Sequence, residues 1–529
     1  MPNALTMRPP ESFRDKEAEL AMRIKEPFTV AVVGDLIQMV PFSNRDDPDI
    51  QALVGVLRSA DITLANNENT IVDRLTFRGP VSHMEAPSEI ADDWASMGIA
   101  MVSKANNHTF DNGELGAIQT FEQLRRVGID YVGTDYNVSE ARLARFRSIP
   151  KGAVGFVGAY AEVADFSQLF RIPTGDPIVV NKEQLQQLHA MQDSLLERRK
   201  DVPNPIDDIK SGPEDSVILF GRLFQLPNAT DTVVEEAASI RRRLEHHLHS
   251  KGKVTFKNNT LGLKVYQGVT QTQMMELRKI VGKEDIGTTL DAFGVHFKVT
   301  PASGELTYDM NEIDEREILR EVRSGKQFSD FEAFTIHWHQ NRYTFQKYSF
   351  DHYPADYQIK FAHEVIGNGA DLFFAHGVHT LKGVEIYKGK PIFYGINNYV
   401  FQNQRFRSWR DDAEREPASL TGPVIGDGES NESRWAWLQR PENFEAILAS
   451  SRYVGGKLLE VLLYPADLGL NRPSSEMGTP RRPTPEVAKR ILESVAEYSQ
   501  PFGTEIDIEN GVGVIRITTA ATLLNGKSP

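Results

Sequence analysis

A chain of 529 residues with 25% charged and 40% hydrophobic side chains is globular and too long for one ordinary domain, which excludes a disordered or fibrous protein. A formal net charge of −14 offers no basic stripe to a phosphate backbone; it argues against a nucleic-acid partner, and against acidic polymers unless a local basic groove overrides the mean field. With no cysteine, disulfides and thiolate metal sites are excluded, so any metal must be held by His, Asn, Asp or Glu.

Residues 1–27 lack the apolar core of a signal peptide, and no later apolar run reaches the length of a membrane span; both point to a cytoplasmic protein with no membrane span. From Phe28 the pattern is α/β. FTVAVVGD is a β-rich run closing on Gly34 and Asp35, the form of a buried strand ending in a loop, and DITLANNE, IAMVSKANNH and IDYVGT repeat it. Between the last two, Leu115, Ile118, Phe121 and Leu124 fall at helical spacing within 114–127, with Gly128 placed to end the helix. GAVGFVGAY is another strand.

Residues 163–329 are richer in charge and in Pro and Gly breaks, with helical stretches near 182–199 and 232–250, and read as an inserted subdomain or lid. Strand logic resumes at FEAFTIHWHQ, passes a helix near 357–367, reaches DLFFAHGVHT, and continues into a hairpin-like pair, GVEIYKG and KPIFYGINNYVF. Residues 402–441 read as a long irregular surface loop. GKLLEVLLYPADLG is a further core strand. Thr484 and Pro485 suit the cap and first turn of a helix with Val487, Ile491, Leu492 and Val495 on one face, and GVGVIRIT is the last strand. The expected plan is a core in two parts, 28–162 and 330–402, interrupted by the 163–329 insertion and followed by 403–529. No Walker loop or dinucleotide fingerprint is present, so no nucleotide cofactor is expected.

Ligand-type residues recur where strands stop: Asp35; Asn66, Asn67 and Glu68; Asn107 and His108; His337 and His339; His376 and His379. In open α/β sheets that is where ligands bind. Singly, each reads as a turn former or helix cap. Together they suit a metal-assisted reaction, because carboxylate, amide oxygen and imidazole match Zn, Mn or Fe, and two ions sharing a carboxylate can activate water and clamp an oxyanion. A histidine that is not a ligand can protonate the leaving group. His246, His247 and His249 in RRRLEHHLHS read as a solvated helix face, although the insertion can reach over the site. His352 and His363 read as packing or surface residues.

VGDLI, ANNENTI, ANNHTFDNG, IHWHQN and GADLFFAHGVHTLKGVEIYKGKPIFYGINNYVF, in that order, resemble the successive motifs of the CapA family of poly-γ-glutamate capsule proteins. The likeness covers roughly 28–160 and 329–402, with 503–517 completing the module. It implies a metallophosphatase-like fold, a four-layer α/β/β/α sandwich carrying here a large inserted subdomain, with the site at the strand ends. It also implies a divalent metal, Mn, Zn or Fe, as one or two ions on Asp35, Asn107, His337, His376, His379 and Glu68, the last in the place of the bridging acid, with His108 as general acid. Asp111 either orients the His108 imidazole or caps the turn. Asn67, His339 and Asn398 are candidate substrate contacts.

Four positions depart from the pattern. Ile37 stands where it has a histidine, Glu68 where it has Asp, and two residues rather than one separate the final histidines. Asn397 replaces the glycine of the family's LGNF, and asparagine tolerates a left-handed backbone. Three functions remain open: metal-assisted hydrolysis of a peptide, polyglutamate-like or phosphoester substrate; two-base epimerisation of a peptide in the same cleft without metal; and a non-catalytic part in capsule assembly. Nothing in the sequence sets the oligomeric state.

Overall fold

Along the Phe28–Ile37 strand, Val30 and Val32 face one side, Ala31 and Val33 the other, and all four are buried. The Phe331–His337 strand repeats this with Phe331 and Ala333 against Phe334 and Ile336, and the Leu372–His376 strand with Leu372 and Phe374 against Phe373 and Ala375. Strands apolar on both faces need cover on both, and layering supplies it. The computed structural model describes residues 15–80, 82, 84–163, 178–199, 215–220, 222–227, 255–283, 286–301, 304–343, 351–403 and 440–517. The helix expected at 232–250, with His246, His247 and His249, and most of the loop expected over 402–441 lie outside the described residues.

Two sheets form the centre. The first runs 507–509, 512–516, 457–467, 445–454, 28–37, 62–67, 101–103, 130–132, with 398–401 paired to the second half of 28–37. The second runs 289–292, 295–299, 260–269, 152–163, 331–337, 372–376, 390–393, 384–387, with 306–310 and 145–149 alongside. Val30, Val32, Leu64 and Met101 of the first meet Phe156, Phe331, Leu372 and Phe374 of the second in one dry core. Helices 48–59, 89–97 and 113–126 cover the outside of the first sheet through Leu53, Trp94 and Leu124. Helices 312–328 and 356–367 cover the second through Val322, Phe361 and Val365. The result is the α/β/β/α sandwich.

Some local expectations change. In the 113–126 helix Phe121 and Leu124 are buried, but Leu115 is 53% exposed, because it sits in the first turn beyond the reach of the sheet. Gly128, with φ +77°, donates its N–H to Arg125 O and ends the helix as expected. The Thr484 hydroxyl accepts from Val487 N at the start of the 485–499 helix, whose Ile491, Leu492 and Val495 enter the core between the sheets. Within the span expected as an insertion, the chain has two fates. The 182–199 helix and the small sheet of 178–179, 216–219 and 222–225 pack with the 271–281 helix around Leu188, Phe224, Leu277 and Phe297, a separate cluster. From Thr260, however, the chain pairs parallel to the 152–163 strand and extends the second sheet, and the 312–328 helix seals it.

Glu332 lies fully buried at the base of the second sheet, where the Ser329 hydroxyl donates to Oε2 at 2.9 Å. Burial pushes its carboxyl well above the usual range, with Asp371 adding to the effect. The folded protein therefore keeps a proton that the unfolded chain releases. This contribution is full below the ordinary glutamate value and is lost as pH rises through the folded-state value. Glu332→Gln is expected to remove that loss, so urea midpoints measured from acid to neutral pH fall less steeply in the variant than in the parent.

Candidate metal centre

The parallel strands of both sheets deliver their carboxyl ends to one region. Asp35 sits just past a register shift in the Phe28 strand, opposite Asn66 and Asn398. His337 and His376 are register partners at the ends of their strands. Gly34 makes the first of these possible: a Cβ there would stand 1.7 Å from Asn397 O, so the two chains can pass only if one has no side chain. Asn397 itself has φ +63°. Its Nδ2 donates to Glu442 O and Glu445 O at 2.7 and 2.6 Å, and its Oδ1 accepts from Asn398 N. A glycine would take the same backbone shape and lose these bonds. Asn397→Gly is expected to keep the fold and cost about 1–3 kcal/mol in a urea titration, the range for buried carbonyls left without donors.

Asp35 is fully buried. Its Oδ1 lies 3.0 Å from His376 Nδ1 and 3.8 Å from His337 Nδ1, and accepts from Asn66 Nδ2 at 2.8 Å. Oδ2 accepts from Gly377 N at 3.0 Å and is 3.6 Å from His379 Nδ1. Burial would raise its pKa, but His376, His379 and Asn66 outweigh it and hold the carboxyl below its usual value, so it is ionised. His337 is held well below the ordinary histidine value by burial first and then by the neighbouring imidazoles, so it is neutral and keeps a lone pair. That is the form in which histidine binds metal.

Two groups of three emerge: Asp35, His337 and His376; and Asp35, Glu68 and His379. Their ligand atoms lie within 4.8 Å of one another in each. Asp35 is common to both groups, and Glu68, the expected bridging acid, belongs to the second. Past the register shift, the Asp35 carboxylate has Oδ1 toward His337 and His376 and Oδ2 toward His379. His376 Nε2 and Asn107 Oδ1 are buried without a hydrogen-bond partner among the described residues. Unpaired buried polar atoms are costly, and nitrogen, amide and carboxylate donors suit a divalent ion; the residues present fit such an ion.

The other candidates fall around this pair. His108 Nδ1 is 2.6 Å from Asp111 Oδ2, and its Nε2 is 3.6 Å from Glu68 Oε1. His339 Nε2 is 3.0 Å from His337 Nε2, on the far side of that ring from His376. Asn398, a candidate substrate contact, bonds His379: its Oδ1 accepts from His379 Nδ1 at 2.6 Å while its Nδ2 donates to Asn443 O. An amide oxygen only accepts, so Nδ1 carries the proton and Nε2 keeps its lone pair. That bond steadies a residue with φ +53°. Asn67 pairs in register with Leu36, which faces the helices, whereas Asn66 pairs with Asp35. Both polar atoms of the Asn67 side chain are buried without a hydrogen-bond partner among the described residues.

From the sequence Asn106 reads only as part of a polar turn, and Lys104 is not among the candidate site residues. Asn106 Nδ2 donates to Asn66 Oδ1 and Asn67 O. Lys104 is buried, and burial pushes its ammonium down to about 7. A lysine interrupting the apolar run before ANNH was the available signal. His352 bonds Leu381 O and stacks on Tyr498, and His363 bonds both oxygens of Glu385 and stacks on Tyr387, both packing roles. Among the described residues no helix is long and apolar enough to cross a membrane.

The family described as bacterial capsule synthesis protein PGA_cap matches residues 29–225 and 254–403. Uncharacterized protein y4sH of Sinorhizobium fredii is 28% identical over 533 residues, spanning 95% of this chain and 96% of that protein. PGA biosynthesis protein CapA of Bacillus subtilis is 32% identical over 92 residues, 17% of this chain and 22% of that protein. Among solved structures, a Staphylococcus aureus chain assigned as a 5′-nucleotidase aligns at 10% identity over 70% of this chain and 49% of that one. Its TM-score of 0.27 is too low to establish a shared architecture.

Proposed function

The chain belongs to the PGA_cap family of bacterial capsule synthesis proteins, and from that premise we propose that it is a metal-assisted hydrolase cleaving an amide bond of a polyglutamate-like peptide. The observation that carries the reading is the position of Asp35, with one oxygen toward His337 and His376 and the other toward His379. Asp35, His337 and His376 would hold one ion, and Asp35, Glu68 and His379 a second. A bound divalent ion supplies Lewis acidity and makes water a nucleophile at neutral pH.

The chain's own groups do the rest. His108 Nδ1 donates to Asp111, so in the imidazolium form, which the carboxylate favours, Nε2 carries the second, transferable proton. It delivers that proton to the departing nitrogen, which otherwise leaves as a poor anion. His108 suits this work because its side chain is 13% exposed while Glu68 is fully buried. Asn398 and Asn66 fix the orientation of His379 and Asp35, keeping the donor set in place before substrate arrives.

Chelator-treated protein is expected to be inert and to regain activity with Mn, Zn or Fe, read as release of glutamate-containing fragments from γ-linked polyglutamate. A p-nitrophenyl phosphate assay runs beside it. Cleavage of the phosphoester alone would reassign the bond, and failure of every metal to support cleavage of either substrate would sink the hydrolase reading.

A further inference from the structure

Lys104 has no part in the chemistry above, yet it follows directly on the Met101–Ser103 strand and is among the largest fully buried side chains among the described residues. Its Nζ donates to Asn69 O at 2.8 Å and to Asn67 O at 3.4 Å. These carbonyls belong to the residues on either side of Glu68. The rest of that turn is tied as well. Asn66 Nδ2 is bound to Asp35, Asn67 O also accepts from Asn106 Nδ2 at 2.8 Å, and the Asn69 amide links Gln38 N to Met84 O.

A buried ammonium is costly unless carbonyls or carboxylates receive it. Here two carbonyls receive it, and Asp111 and Glu68 act on it through their charge. A side chain that only filled space at the end of this strand would be apolar; two converging carbonyls call for a donor. We propose that Lys104 is a positioning residue: its ammonium clamps the backbone on both sides of Glu68 and so aims the Glu68 carboxylate at an ion shared with Asp35 and His379. The clamp rests on the two hydrogen bonds, and its purpose rests on the metal reading given above.

The experiment has two arms, both on the full chain. In the first, backbone hydrogen exchange of metal-free protein is followed by mass spectrometry. Lys104→Met, which keeps the stem and removes the donor, is expected to speed exchange over residues 66–70 at least tenfold, with the Phe28–Val32 and Phe331–His337 segments unchanged. Lys104→Gln, whose amide reaches one carbonyl at most, is the milder second variant should the first fold poorly. In the second arm, calorimetric titration with Mn is expected to show at least tenfold weaker binding of the ion whose loss marks Glu68→Gln, with the other ion retained. Glu68→Gln combined with Lys104→Met is expected to bind no more weakly than Glu68→Gln alone. Unchanged exchange over 66–70, or an equal rise through both sheets, would overturn the clamp. Equal weakening of both ions would overturn its aim at Glu68. If the parent protein takes up no ion while Lys104→Met still loosens 66–70, the metal reading fails and the clamp stands.

Discussion

Asp35→Asn is expected to empty both ion positions at once and to lower turnover by about a thousandfold or more, the equivalent of several kcal/mol of transition-state stabilisation. The substitution keeps the size of the side chain, and its amide can still meet Asn66 or Gly377, so the fold should survive. What it cannot do is present two anionic oxygens, one 3.0 Å from His376 and the other 3.6 Å from His379. His337→Ala is the informative partner, because His337 belongs to one group only. Metal analysis of the two purified variants should give no ion for the first and loss of one ion for the second. A full complement of metal in Asp35→Asn would remove the shared carboxylate from the account.

The second large effect is His108→Ala, expected to lower kcat by about 10²–10⁴, the range for losing a general acid, with metal content unchanged. The separation matters because His108 lies 3.6 Å from Glu68 but belongs to neither ion-holding group. Asp111→Asn should cost less, about 10–100-fold, as when the partner that orients a histidine is lost. Loss of metal from His108→Ala would instead make the residue a ligand.

How much of this was legible beforehand follows from what a linear pattern can carry. Strand ends were visible because alternating apolar residues stop where Asp35, His337 and His376 appear. The layered order was visible because Val30 to Val33 are apolar on both faces. The direction of a side chain at a strand end was harder. It depends on register across strands, which shifts between Val32 and Asp35. For that reason the bond from Asn398 to His379 and the position of Asp35 between three histidines could not be read from the motifs. The return of residues 260–328 to the second sheet was hidden for another reason. Its strand from Thr260 pairs with Tyr160 across a long intervening stretch, and local composition says nothing about so distant a neighbour.

The Phe28 strand divides its partners: its first half pairs antiparallel with 445–454, Ala31 facing Ser450, and its second half parallel with 398–401. During synthesis, at about 5–20 residues per second, Asp35 leaves the ribosome tens of seconds before the segments that flank it exist. A central strand of the finished sheet thus spends that interval as an open edge, which is the state that chaperones recognise and that invites pairing with the wrong chain. Ion capture, if it needs His376 and His379 beside Asp35, becomes a late event of biogenesis, timed by the arrival of the C-terminal third and not by the appearance of the first ligand.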